Sequence, residues 1–366
     1  MKKIAIIGGG IIGLTLANYL DTTQFEITLF DEGIGQATGA SAGIISPWLS
    51  KRRNKKWYQL AKDGASFFPT LVKDLGLTKE IYSVCGTIIL REAHQLQDLA
   101  QLAEKRKETA PEIGEIQLLS GEETQQKNPL LKPLPSLFIS GGGRLDGREY
   151  LKHLTQLAMN KGVNLIKESA QLEKLDDAWL ITSPNHQMKV DQVAVTAGPS
   201  IKPLLEKIGY SVDIRPQKGQ LLVYQTDFPS GQWPVVMLDG EADFIPFEDG
   251  KILIGATHEN EAGWDLTPTS EAVAQLVNGA QPFLEEVDNF RQVDDQLVGT
   301  RAYTSDFAPF FGPLAEDSSI AVASGLGSSG LTTGPYIGYL LAKYFNQTDW
   351  NTEHYQKPIT QYVQKK

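Results

Sequence analysis

The sequence predicts an α/β protein (α+β when its second domain is included), with a Rossmann-like domain joined to a domain built on an antiparallel sheet. Three observations predict it. Residues 4–31 read as strand, glycine turn, helix, strand and acid. Residues 319–345, near the other end of the chain, read again as strand, glycine-rich turn and helix. Between them, residues 212–301 become strand-like, with LLVYQ, WPVVML, FIPF and KILIGAT separated by turns.

The first unit has two readings. Lys2 and Lys3 ahead of an apolar run suggest a secretory leader, but such a core is a continuous apolar helix with a small-residue cleavage site. Gly8, Gly9, Gly10 and Gly13 interrupt this one, at a cost a helix interior would not carry cheaply, and no A-x-A follows before Asp21. Each position fits a dinucleotide-binding unit instead. Ile4 to Ile7 form a short buried strand. Gly8 permits the tight turn, Gly10 lets the backbone approach a pyrophosphate, and Gly13 lets helix and strand pack closely. The helix from Leu14 to Leu20 then turns its positive end toward the phosphates. The next strand, Ile27 to Phe30, ends at Asp31, 18 residues after Gly13, where a ribose-binding carboxylate belongs.

The segment from Gly33 to Pro47 is rich in glycine and alanine, which lets backbone approach a flat ligand. The alternative is a surface loop, but Ile44-Ile45 argues for packing. KRRNKK at 51–56 is a solvated basic face or an attractor of an anionic substrate. Helical periodicity spans about 57–75, a strand lies near 87–90, and another helix covers about 95–107. A Pro- and Lys-containing loop at 128–135 marks a boundary. Residues 141–151 turn into a helix that runs to about Lys161. A strand at 163–166, a hairpin-like pair around 179–181 and a strand at 192–196 follow, the last ending in Ala197-Gly198-Pro199-Ser200. One helix, about 269–283, interrupts the strand-rich block.

Bulk properties narrow the chemistry. A chain of 366 residues suits two domains. A net charge of −10 weighs against nucleic-acid binding. The single cysteine, Cys85, excludes an internal disulfide, and five scattered histidines show no ligand spacing, so no metal is expected. No apolar run reaches the length of a membrane span, and with the leader rejected a cytoplasmic location is expected. An oligomer stays open.

These motifs, in this order, resemble the D-amino-acid oxidase (DAO) family of FAD-dependent oxidoreductases, the group of glycine oxidase, sarcosine oxidase and D-amino-acid dehydrogenase. Gly8-x-Gly10-x-x-Gly13 with Asp31 is similar to the family's FAD-ADP motif. Residues 39–47 resemble its second flavin loop, best in the glycine-oxidase branch. Thr196-Ala197-Gly198, Arg215 to Gln220, Gly255-Ala256-Thr257-His258-Glu259 and Gly299 to Asp306 resemble four further family turns.

The resemblance implies a Rossmann-like FAD-binding domain (1–50, 136–211 and 306–366) and a discontinuous substrate domain on an antiparallel sheet (51–135 and 212–305). It implies non-covalent FAD held by Gly8, Gly10, Ile11, Ile12, Gly13, Asp31 and Glu32. Ala40, Ser41, Ala42, Gly43, Ile44 and Ile45 would meet the flavin, Ala42 to Ile45 giving backbone N–H groups to N5 and O4. Leu172 (or Ala170) would make the adenine-side backbone contact, with Ala197 and Gly198 nearby. Gly327, Ser328, Ser329, Gly330, Leu331 and Thr332 would serve O2, where the last helix's N-terminus stabilises negative charge. The reaction implied is hydride transfer from Cα of a small amino acid or amine to flavin N5, giving an imine and then an oxo acid. The flavin supplies the chemistry, so no side-chain base is required. Arg301 would hold the substrate carboxylate through its planar fork. Asp306 reads as structural, Glu259 as ordering its own turn, and His258 as a surface or core histidine.

Several positions depart from the family pattern. Asp243 stands where many members have Tyr. Residues 325–329 lack the usual Gly-His and following Arg, and Ala302 replaces Pro. Leu253 stands near an oxygen-activating lysine position, and no cysteine occupies the flavin-linking position. The electron acceptor is therefore oxygen or a quinone or other carrier. Two alternatives keep the fold: a non-turnover FAD-binding sensor or scaffold, and a hydroxy-acid or glycerol-phosphate dehydrogenase whose basic run meets a phosphate.

Overall fold

The computed structural model describes residues 1–50, 54–285 and 292–366. Its helices are α1 (Ile11–Tyr19), α2 (Lys55–Leu75), α3 (Ala93–Lys107), α4 (Gly121–Lys127), α5 (Gly147–Asn160), α6 (Ile201–Glu206), α7 (Ser270–Ala280) and α8 (Gly330–Phe345).

One sheet has six strands in the order Phe310–Leu314, Asp317–Ser324, Gln192–Val195, Lys2–Ile7, Phe25–Phe30, Asn164–Ile166. All neighbours are parallel except the first pair. Its strands are buried on both faces, which is why Ile4 to Ile7 read as a continuous apolar run rather than an alternating one. Ile4 and Ile6 face the cluster that holds α1, α2, α5 and α8, while Ala5 and Ile7 face the layer of α6 and the 171–190 hairpin. That hairpin is three-stranded (Gln171–Lys174, Trp179–Thr182, Gln187–Val190), one strand more than the sequence suggests.

The second sheet has eight strands, in the order Asp295–Tyr303, Arg215–Gln225, Lys251–Gly255, Phe244–Pro246, Val235–Met237, Thr87–Ile89, Ser136–Ile139, Ile116–Leu119. Its pairings are antiparallel except for Val235–Met237 beside Thr87–Ile89. Leu276 and Ala280 of α7 pack on Leu222 and Ile254 of this sheet. The helix stops at Ala280, sooner than the periodicity suggests, because Pro282 has no N–H to continue the i→i−4 ladder, although Gln281 before it keeps helical angles. The sequence reading misses α4, although Ser120 and Glu123 form a capping box, a signal visible as S-x-x-E. No helix among the described residues is long and apolar enough to cross a membrane.

Candidate active site

The glycine turn behaves as its spacing predicts. Gly8 has φ +107°, and a Cβ there would lie 2.6 Å from the backbone of Thr196 and Ala197. A Cβ on Gly13 would lie 1.9 Å from the Gly8 carbonyl oxygen, so strand and helix touch through these two residues. Gly10 caps α1 without a side-chain bond. The Ile11 N–H donates to Thr38 Oγ1 at 3.2 Å.

The α8 N-terminus is brought to the same place by glycine packing. A Cβ on Gly334 would lie 2.4 Å from Ile11 Cγ2, and one on Gly338 would lie 2.7 Å from the Ile12 carbonyl oxygen. Ser329, the α8 N-cap, makes no capping bond. Its hydroxyl donates to the Leu326 carbonyl (2.9 Å) and accepts from Trp57 Nε1 (3.1 Å). No side chain caps the start of α8, and two positive helix ends converge.

Both ends open onto a cavity of about 720 Å³, within the range of pockets that enclose whole ligands. Gly8, Gly10, Ile11, Ile12, Asp31 and Glu32 line one end. Ala40, Ser41, Ala42, Gly43 and Ile44 line its wall, together with Ala197, Gly198 and residues 327–332. Arg301 lines it too. Three predicted residues do not reach it. Gly13 lies beneath the turn, and Ile45 is buried in the core. Leu172 is also core, turned in against Ile181 by the hairpin, so the cavity edge there runs through Ala170 instead.

Asp31 is already a well-bonded carboxylate. It accepts from the Gly9 N–H, from the Gly33 N–H at 2.5 Å and from Gln36 Nε2 at 3.0 Å. It thus fixes the glycine turn to the following loop.

The 44–45 strand pairs with Gly143–Leu145, Ile45 opposite Gly143, and the Leu145 N–H donates to the Gly43 carbonyl at 2.8 Å. Antiparallel alternation then turns the Ile44 N–H toward the other edge of this short strand, the side of the cavity that Ile44 lines.

Arg301 sits on the edge strand Asp295–Tyr303, opposite Gln217. Its Nη1 donates to the Thr257 carbonyl (2.7 Å) and to Gln217 Oε1 (3.2 Å). Nη2 and Nε have no hydrogen-bond partner among the described residues. Burial pushes the guanidinium below its ordinary pKa, against the opposing fields of Tyr303, Glu241 and Glu259. Arginine stays charged under such shifts, so a cation with free donors faces the cavity.

Three further groups line the cavity near Arg301: His258, read from the sequence as a surface or core histidine, Asp243, noted there only as a departure from the resembled pattern, and Glu241, which the sequence did not single out. His258 binds Glu241 through Nδ1 (2.8 Å), and Glu241 also accepts from Gln275. Asp243 is held at Oδ1 by the Leu238 N–H (2.9 Å). Burial pushes its carboxyl up to about 7, despite the Leu238 bond and the charge of Arg91. The only sequence sign of Asp243 is its place in a strand-edge position where the family carries Tyr.

Lys218 is almost fully buried and binds Asp265 (3.1 Å) and the Thr267 carbonyl (2.6 Å). It ties down the loop that carries Trp264 and Leu266 to the cavity. Asp306 accepts from Thr304, Lys357 and Tyr362, a turn-fixing set. Glu259 accepts from Thr257 and Gln220 and so orders its turn. Of the basic run, residues 51–53 lie outside the described residues. Asn54 caps α2, and Lys56 Nζ donates to the carbonyls of Glu353 and Gln356. No group of residues suited to a metal occurs among the described residues.

The family model described as "FAD dependent oxidoreductase" (DAO) matches residues 3–344. The chain is 37% identical over 354 residues to the uncharacterized oxidoreductase YurR of Bacillus subtilis, covering 94% of each. It is 28% identical over 360 residues to glycine oxidase of Pseudomonas aeruginosa, covering 93% of this chain and 94% of that one. Among solved structures, iminodiacetate oxidase from Chelativorans sp. BNC1 superposes with a TM-score of 0.90 at 27% identity, covering 98% of both chains.

Proposed function

The chain belongs to the DAO family of FAD-dependent oxidoreductases, and on that premise we propose that it oxidises the C–N bond of a small amino acid or amine that carries a carboxylate. The residues present fit FAD. The cavity is long enough to join two helix N-termini, the turn at Gly8 and Gly13 has no room for a Cβ, and Asp31 stands at the strand end beside it. When bound, FAD supplies the hydride acceptor, and the substrate leaves as an imine that water hydrolyses.

The protein's own work is holding and orienting. Gly8, Gly10, Ile11 and Ile12 present backbone to the pyrophosphate, and Asp31 and Glu32 meet the ribose side. The Ile44 N–H and the N-terminus of α8 favour negative charge at the reactive end. Arg301 clamps the substrate carboxylate. Its Nη2 and Nε, without a hydrogen-bond partner among the described residues, belong to a side chain that lines the cavity, and this is the observation that carries the reading. Ala170 takes the adenine-side role expected of Leu172.

The same reading divides the chain into FAD-binding segments 1–50, 136–211 and 306–366 and substrate segments 51–135 and 212–305. All six strands of the parallel-rich sheet fall in the first set, and seven of the eight in the other sheet fall in the second. With it go a cytoplasmic location and oxygen or a quinone-like carrier as acceptor. The relatives named glycine oxidase and iminodiacetate oxidase point to glycine and N-substituted glycines as first candidates.

The test is anaerobic flavin reduction. Glycine, N-methyl and N-carboxymethyl glycines, and D- and L-amino acids are compared with glycerol phosphate. Bleaching by one amino acid or amine class is expected. Bleaching by glycerol phosphate alone overturns the substrate class, and a flavin that stays oxidised with all of them favours a non-turnover role.

A further inference from the structure

Resting on that amine-oxidising reading, we propose that Asp243 holds the substrate's ammonium group and takes one proton from it, so that the amine becomes neutral inside the cavity. Three observations carry the inference. Asp243 is only half-buried by surface area although it lies deep in the protein, so the surface it exposes is the cavity wall it lines. Its Oδ1 is held by the Leu238 N–H, while Oδ2 has no hydrogen bond or ion pair among the described residues. The acid beside it, Glu241, is already taken by His258 and Gln275.

Position supports the role. Asp243 and Arg301 are anchored to one short segment. The Gly255 N–H donates to the Asp243 carbonyl (3.0 Å), and the Thr257 carbonyl accepts from Arg301 (2.7 Å). Yet the two side chains are not each other's charge partner. Arg91 acts on Asp243, while Tyr303, Glu241 and Glu259 act on Arg301. A free cation and a free carboxyl thus line one cavity without neutralising each other, which suits a zwitterion lying between them. A carboxyl raised to about 7 is a better proton acceptor than an ordinary carboxylate and is still ionised above neutral pH.

The step balances simply. An N–H bond of R–NH₃⁺ breaks, and its electron pair stays on nitrogen. An O–H bond forms at Asp243 Oδ2, the carboxylate becoming a carboxylic acid. The proton returns to water when product leaves. Arg91, Asp239, Glu241, His258 and Arg301 are the charged or titratable groups near this carboxyl.

The experiment uses the FAD-loaded protein and two probes followed by flavin absorbance. One is 2-aminoisobutyrate, which has no Cα–H and cannot be oxidised. The other is isobutyrate, which lacks the amine. Asp243→Asn should weaken 2-aminoisobutyrate by about tenfold or more at pH 8 and leave isobutyrate unchanged or tighter. With the best amine substrate, wild-type kcat/KM should rise with pH and level above Asp243's ionisation. In Asp243→Asn it should climb tenfold per pH unit up to the substrate's own pKa, because only free amine then reacts. Asp243→Glu should restore the preference for the amine-bearing probe.

Equal weakening of both probes, or a wild-type inflection that persists unshifted in Asp243→Asn, overturns the role of Asp243 while leaving amine oxidation standing. If Asp243→Asn loses FAD, Asp243→Glu decides: its inflection must move, and an unchanged profile overturns the proposal. Should neither probe bind although an amine bleaches the flavin, the pH profiles decide alone. If no amine bleaches the wild-type flavin, the proposal falls with the function it rests on.

Discussion

The guanidinium of Arg301 lies flat over Gly219, so close that a Cβ on Gly219 would sit 2.6 Å from Cζ and Nη1 and 2.7 Å from Nη2. Gly219 is on the strand next to that of Arg301, one step diagonal from its register partner Gln217. The absent side chain is what lets the guanidinium settle between Gln217 and the Thr257 carbonyl. Gly219→Ala should push the far end of a flexible side chain, not backbone, so stability should change by under about 1 kcal/mol. Displacing a positioning group by about an ångström can cost roughly 100-fold in rate. We expect kcat/KM to fall by about 10- to 100-fold while FAD stays at one per chain. Unchanged kinetics in steady-state assays would show that Arg301 does not need this seat.

Arg301→Ala removes the clamp itself. Truncating one partner of a buried charge pair costs about 2–5 kcal/mol, so kcat/KM should drop by about 30- to several-thousand-fold. Arg301→Lys should recover only part, since an ammonium has no planar fork. Stopped-flow flavin reduction reads the effect directly. A wild-type rate in Arg301→Ala would mean that the substrate carries no carboxylate at this point.

Asp31→Ala should weaken FAD by one to two orders of magnitude, the loss of a charge-assisted bond of about 1.5–3 kcal/mol. Because Asp31 also receives the N–H groups of Gly9 and Gly33, the FAD-free protein should lose stability as well. Calorimetric FAD titration and denaturant unfolding of the apoprotein separate the two effects. Wild-type FAD should be released by acid precipitation. Colour retained in the pellet would contradict non-covalent binding.

Asp243 should also leave a mark on stability. Its folded-state pKa is raised from 3.8 to about 7, so the native state holds a proton that the unfolded chain has already lost. Stability should therefore fall as pH rises from about 4 to about 7 and then level, with a span of a few kcal/mol. Asp243→Asn has no such cost. Its stability relative to wild type should improve across that window and be unchanged near pH 4. Urea midpoints measured at pH 4, 6 and 8 test this, and a difference independent of pH would show that Asp243 is not protonated in the native state.

The amino-acid sequence alone determined the local chemistry of this protein. The strand, Gly8-x-Gly10-x-x-Gly13 turn, helix and Asp31 can be read because their constraints act within a few residues. A turn that admits no Cβ and a buried parallel strand each leave a mark at fixed spacing. Arg301 was legible through its neighbouring motif, and α4 could have been read from Ser120 and Glu123. Tertiary structure decided what depends on distant segments meeting. Gly334 and Gly338 bring the α8 N-terminus beside α1, across more than three hundred residues of chain. Ala170 rather than Leu172 reaches the cavity because hairpin pairing turns the leucine into the core. Asp243 shows in the sequence only as a departure from the resembled pattern; its burial and its place in the cavity wall come from the fold. Solvation and the field of non-neighbouring charges set a group's proton affinity, and neither is written in the residues beside it.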